Sequence, residues 1–113
     1  MSCIFCRIID GDLPGDIVYE DADVMAFRDI NPQAPHHILV IPRKHVATVN
    51  AFEPADAELI GKLVLTAKSL AAELGISEDG YRLVLNCGRD AGQTVYHVHL
   101  HLLAGRSMHW PPG

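Results

Sequence analysis

Three histidines occupy alternate positions in Tyr96-His97-Val98-His99-Leu100-His101-Leu102-Leu103, and apolar residues fill the gaps. A period of two is a strand signal, so residues 96–103 are expected to form a strand. His97, His99 and His101 then share one face, with successive imidazoles roughly 6.5–7 Å apart. Tyr96, Val98, Leu100 and Leu102 share the other. Packing alone is a poor reason for three histidines in register. They point to a metal site or to a catalytic surface. Imidazole is mostly unprotonated at neutral pH and can attack phosphorus, forming a phosphoramidate that water then cleaves. One ring nitrogen attacks while an acceptor holds the other. The middle position suits that role, because the flanking rings can donate to phosphate oxygens. The competing chemistry is a zinc hydrolase whose triad histidines are all ligands, since His-x-His is also ligand spacing.

Other residues bear on the same chemistry. The loop Gly88-Arg89-Asp90-Ala91-Gly92-Gln93-Thr94 runs directly into the triad. Its small residues would let backbone N–H groups approach an anion, and Thr94 adds a hydroxyl donor. Asp29 lies in the turn Asp29-Ile30-Asn31-Pro32. His37 opens an apolar run. Cys3-x-x-Cys6 is a common half-site for tetrahedral zinc.

The elements that must position these groups are legible from periodicity. Residues 3–10 suit a short helix, ended by Gly11 and Pro14-Gly15. Residues 17–20 and 24–28 suit strands joined by the turn Asp21-Ala22-Asp23, and Asn31-Pro32 marks another turn. Residues 37–41 suit a central strand covered on both faces and stopped by Pro42. Residues 54–74 suit one long helix, with Pro54 in its first turn and Gly75 at C′. Its apolar stripe is Ile60, Leu63, Val64, Ala67, Leu70, Ala71 and Leu74. Residues 81–87 suit another strand, and 88–92 a loop. Strands around one helix, without repeating βαβ units, predict an α+β fold with an antiparallel sheet.

At 113 residues the chain is expected to be one domain, 1–113, with a tail at 106–113. The formal charge of −5, without a lysine or arginine cluster, argues against binding long nucleic acids. A local site can still hold a mononucleotide. No apolar run is long enough to cross a membrane, and the first residues lack the apolar core of a signal peptide. A cytoplasmic protein is expected, whose three cysteines are not structural disulfides.

The triad with its two following apolar residues, led by Gly92-Gln93-Thr94-Val95-Tyr96, resembles the histidine triad (HIT) superfamily of nucleotide hydrolases and transferases. The ending Met108-His109-Trp110-Pro111-Pro112-Gly113 resembles its Hint branch, the purine nucleoside phosphoramidases. The resemblance covers essentially the whole chain. It implies a five-stranded antiparallel sheet with one long and one short helix, continued across a homodimer through the long helix and a strand. It implies hydrolysis of nucleoside 5′-phosphoramidates and acyl-adenylates, releasing AMP or GMP from a nucleotidyl-His99 intermediate. His101 would stabilise the phosphate charge, with His97 and His37 completing the catalytic histidines. Asp29 and Ile30 would contact ribose and base. Asn86, Gly92, Gln93 and Thr94, with His99 and His101, would complete the nucleotide site; Thr94 keeps the hydroxyl of the family's usual serine. Trp110 would pack near the partner's active site. Many Hint-type chains lack Cys3 and Cys6. Other branches carry the pair and complete a structural zinc site with two histidines, here His45 and His97. A third reading is a nucleotide-binding interaction protein with incidental activity.

Overall fold

A computed structural model describes residues 3–113. The order of elements is α1 (Ile4–Ile9), β1 (Ile17–Glu20), β2 (Val24–Arg28), β3 (His36–Pro42), α2 (Ala57–Glu73), β4 (Tyr81–Val84) and β5 (Leu100–Ala104). The five strands form one antiparallel sheet in the order β1-β2-β3-β5-β4. β5 therefore lies between β3 and β4. The α+β architecture expected from the sequence is the one observed.

Strand alternation divides the core in two. Val24, Ala26, Ile38, Val40, Leu100 and Leu102 face α2, where Leu63, Ala67 and Leu70 meet them. Met25, Phe27, Leu39 and Ile41 face the other way, onto Phe5 of α1 with Ile8, Ile9 and Val95 beside it. β2 and β3 are thus covered on both faces, as the continuous apolar run of β3 requires. The stripe of α2 is narrower than its sequence suggests. Val64 is half exposed, while Thr66, outside the stripe, is buried. Pro54–Asp56 forms a separate 3-10 turn rather than the first turn of the helix. At the other end the helix closes in a Schellman motif. Gly75 N–H donates to Ala72 O at 3.1 Å and Ile76 N–H to Ala71 O at 3.0 Å, with Gly75 at φ +72°.

Two strands are shorter than their sequence patterns. β4 covers only Tyr81–Val84, and 85–87 are irregular. β5 starts at Leu100, so His97 and His99 precede the ladder. The cause lies in β3. Its register with β5 pairs Val40 with Leu100, so Pro42 would come opposite Val98. Proline has no N–H to give. Val98 N–H donates instead to Val46 O at 2.7 Å.

Gly105, just after β5, has φ +98°, and a Cβ there would lie 2.7 Å from Pro35 Cβ. Gly105→Ala is expected to destabilise the fold by roughly 1–3 kcal/mol, through strain and the clash. Gly61→Ala, in open space on α2, is expected to stabilise by about 0.5–1 kcal/mol. Thermal melts of the pair should move in opposite directions.

Candidate active site and metal cluster

A cavity of about 590 Å³ lies between the sheet, α1 and the loop at 92–95. His99 and His101 line it, with ring centroids 5.0 Å apart. Phe5, Ile8, Phe27 and Leu39 supply apolar walls. Asp29, Ile30, Gly92 and Thr94 line its rim, with Ile30 fully exposed.

Hydrogen bonds to the backbone fix which nitrogen of each ring carries the proton. His99 is buried, and its Nδ1–H donates to His97 O at 2.8 Å. In its neutral form, Nε2 is then the nitrogen with a free lone pair. A second chain starts at the turn before β3. Gln33 N–H donates to His37 Nδ1 at 3.0 Å, so neutral His37 carries its proton on Nε2. That nitrogen is 2.9 Å from His101 Nδ1 and 3.5 Å from Asp29 Oδ2. His37 thus donates to His101, and His101 is left with a proton on Nε2. Asp29 is held in turn by Asn31 N–H at 2.8 Å. The result is a nucleophilic nitrogen on His99 and a donor nitrogen on His101, in adjacent rings.

Burial favours the neutral form of the His37–His101 pair. It pushes His37 and His97 below the ordinary histidine value. His101 falls to about 4, through burial first and then the charges of His99 and His37. The folded ring therefore stays neutral in a range where the unfolded ring takes up a proton. The stability linked to this group is present above its ordinary value of 6.5 and is lost as pH falls from there toward about 4. An NMR titration should place the His101 midpoint near 4; a midpoint in the ordinary range would refute the neutral network.

His97 belongs to a different constellation. Its ring is fully buried and its Nε2–H donates to Pro42 O at 2.8 Å, which turns the Nδ1 lone pair the other way. Around Nδ1 stand Cys3 Sγ at 3.4 Å, Cys6 Sγ at 3.6 Å and His45 Nδ1 at 3.3 Å. Cys6 Sγ is 3.3 Å from His45 Nδ1. Ordinary zinc bond lengths in a tetrahedron separate two nitrogens by about 3.3 Å and a sulfur from a nitrogen by about 3.5 Å. All four atoms lie within 4.8 Å of one another. The donor set and its spacing fit a tetrahedral metal ion. Cys3 is the N-cap of α1 and accepts from Cys6 N–H at 3.4 Å. His45 is steadied by its neighbours: Arg43 Nε donates to Asp21 O at 2.6 Å, and Lys44 pairs with Asp56 at 2.7 Å. Burial, then the Cys3 thiol beside it, pushes the Cys6 thiol up to about 11. A bound cation is the ordinary means of deprotonating such a thiol.

The three triad rings do not converge on one point. Among the described residues, the metal-competent groups are Cys3-Cys6-His45-His97 and Asp29-His37-His101. That geometry speaks against a zinc hydrolase built on the triad alone. Gln93 is buried as a brace. Its side chain donates to Ala47 O and Val95 O at 2.8 and 3.1 Å, and accepts from Gly88 N–H at 2.9 Å. Asn86 lines a separate cavity of about 770 Å³ with Tyr81, Asp90 and Trp110. The tail is tied to β4 by Arg82, which donates to His109 O at 2.9 Å, and Trp110 is exposed. Sequence patterns did not single out Gln33, whose contribution is a backbone N–H, or the pocket walls Phe5 and Ile8. The only signal for the latter was an apolar side on a very short helix.

The sequence matches the HIT domain family over residues 10–108. A HIT-like protein of Synechocystis sp. is 53% identical over 110 residues, 97% of this chain and 96% of that one. The crystal structure of a HIT family hydrolase from Legionella pneumophila superposes with a TM-score of 0.97 at 54% identity, covering 99% of this chain and 100% of the other. A zinc-bound histidine triad family protein from Mycobacterium smegmatis gives a TM-score of 0.82 at 36% identity, over 94% of this chain and 76% of that one.

Proposed function

The chain belongs to the HIT domain family, and from that premise we propose that it hydrolyses nucleoside 5′-phosphoramidates and acyl-adenylates, releasing AMP or GMP. The observation that carries this reading is the pair of opposed tautomers, a bare Nε2 on His99 beside a protonated Nε2 on His101. His99 Nε2 attacks the α-phosphorus as the bond to the leaving group breaks. An amine leaves with a proton taken up from solvent, an acyl group leaves as carboxylate, and the water that later attacks phosphorus releases a proton to solvent. His101 Nε2–H donates to a phosphate oxygen as charge builds there. Water then attacks phosphorus, the P–Nε2 bond breaks, and the mononucleotide leaves with His99 restored. Asp29 accepts from the ribose hydroxyls, and Ile30 covers the base. Gly92 and Thr94 contribute donors to the phosphate, while Gln93 holds their loop; Asn86, on the separate cavity beside Trp110, is outside this pocket wall. The name of the Legionella neighbour, a hydrolase, supports the class of reaction. Turnover of an adenosine 5′-phosphoramidate tests it; a folded protein that binds AMP but releases none from this substrate would favour a nucleotide-binding interaction protein instead.

Cys3, Cys6, His45 and His97 hold a structural zinc ion in this reading, supported by their spacing and by the zinc-bound Mycobacterium neighbour. With all four positions taken by protein, the ion supplies a crosslink and no open site for substrate. His97 is then a positioning residue rather than a catalytic one. No helix among the described residues is long and apolar enough to cross a membrane, and the free thiols suit the cytoplasm.

The working form is a homodimer of single domains. The outer edge of β4 has no partner strand among the described residues, and Val64 and Leu65 leave apolar surface on α2. Light scattering at micromolar concentration is expected to report twice the chain mass, and a monomer would refute the dimer. Deleting residues 108–113 should change the preference between leaving groups while leaving the melting temperature nearly unaltered.

A further inference from the structure

We propose that the metal cluster is the positioning device of the nucleotide site, so that metal and nucleotide bind this chain with positive coupling. The inference rests on the nucleotide-site and metal readings above and goes beyond both.

Two physical routes join the sites. The first is α1. It is six residues long, too short to be stable alone. Its cysteines reach the cluster, while Ile4, Phe5 and Ile8 of the same helix wall the nucleotide cavity. Phe5 stands edge-on to both His97 and His99, with centroids 6.0 and 5.1 Å away. The backbone bonds leaving α1 are local, from residues 10–13 back onto the helix. Among the described residues, its polar ties to the rest of the protein are the thiol contacts to His45 and His97. Without the cation, α1 is held by apolar packing and by thiol–imidazole hydrogen bonds of 3.3–3.6 Å in place of metal bonds, and the wall it forms is ordered for a smaller fraction of the time. Apparent nucleotide affinity falls by that fraction.

The second route is covalent. The residue whose ring enters the cluster is the residue whose carbonyl holds His99 Nδ1–H at 2.8 Å. The His97 ring is anchored at both nitrogens, by Pro42 O and by the cluster. Releasing one anchor loosens the peptide that selects the His99 tautomer. Cys3, Cys6 and His45 do not line the nucleotide cavity, yet through α1 and His97 they set its wall and its nucleophile. Linkage requires reciprocity: whatever factor the metal adds to nucleotide affinity, the nucleotide adds to metal affinity.

Calorimetry with AMP on zinc-loaded and chelator-stripped wild type, both checked for fold by circular dichroism, tests the coupling. Stripping is expected to weaken AMP roughly tenfold, within the usual span of such couplings. Chelator competition should show zinc held more tightly by the same factor in saturating AMP. Nitrogen NMR of His99 should lose its single Nδ1–H signature in the stripped protein, which a merely structural metal would not alter. Equal AMP affinities, or unequal factors on the two limbs, would overturn the proposal. If stripping unfolds the chain, His45→Ala, which loses one exposed ligand, is titrated with zinc instead. AMP affinity that does not improve with zinc then overturns it. Zinc-loaded protein that fails to bind AMP sinks the nucleotide reading with it. Folded protein that takes up no zinc sinks the metal reading and the coupling, and leaves the nucleotide reading standing.

Discussion

His99→Ala is expected to lower kcat on an adenosine 5′-phosphoramidate by at least ~10⁴-fold, the scale on which loss of a covalent nucleophile is felt. The ring is buried and tied through Nδ1 to a backbone carbonyl, so its Nε2 cannot be replaced by a neighbour without moving the chain. His101 cannot substitute, because its Nδ1 is engaged by His37 and its Nε2 carries the proton. AMP affinity should fall only a few-fold, since ribose, base and phosphate donors are untouched. His101→Ala should cost less, about 10²–10³-fold, as for other single donors to a developing charge. Mass spectrometry of a quenched reaction should find a nucleotidyl adduct on wild type and none on His99→Ala. Substantial turnover by that variant would remove His99 from the nucleophile's role.

The second large effect is on stability. Wild type purified without a histidine tag is expected to carry about one zinc per chain, matching the four-ligand set. Cys3→Ser combined with Cys6→Ser should abolish it. At free zinc a hundredfold above Kd, the lost linkage amounts to about 2.7 kcal/mol. For a chain of this size that is roughly a 10 °C drop in Tm. The fold should persist in the variant, because the cluster of Val24, Ile38, Leu63 and Leu102 does not involve α1. Elemental analysis giving well under half an equivalent in wild type would reject the metal site.

Periodicity carried much of this structure in plain sight. The α2 stripe, the doubly covered β3 and the alternating triad all follow from spacing, because each pattern is local. What escaped the sequence was non-local. Residues 96–103 alternate throughout, yet the ladder begins only at Leu100, because the neighbouring strand places Pro42 where a donor is needed. Register between strands sixty residues apart is invisible in either one. The same limit hid the wall made by Phe5 and Ile8, since nothing in α1 says which surface it lies on. Cys3-x-x-Cys6 was readable as half a site, while His45 and His97 came from resemblance. Gln93 also came from resemblance, as a nucleotide contact; nothing in the sequence signals that its side chain bonds Ala47 O, Val95 O and Gly88 N–H within the protein.

The place of β5 in the sheet bears on how the molecule comes into being. It is the last of the five strands in chain order, and it enters between β3 and β4 rather than at a rim. A growing polypeptide that has passed β4 but not residue 100 holds a three-stranded ladder, β1-β2-β3, with the edge of β3 open, and a β4 without its partner; both are templates for the wrong chain. The same insertion carries His97 to Cys3, 94 positions away, and sets His101 beside His37. Assembly is therefore back-loaded: most contacts of the site join distant parts of the chain and form in one late step. A product interrupted before that step would be an adhesive fragment without partial activity, and quality control would meet it as an aggregation hazard rather than as a weak enzyme.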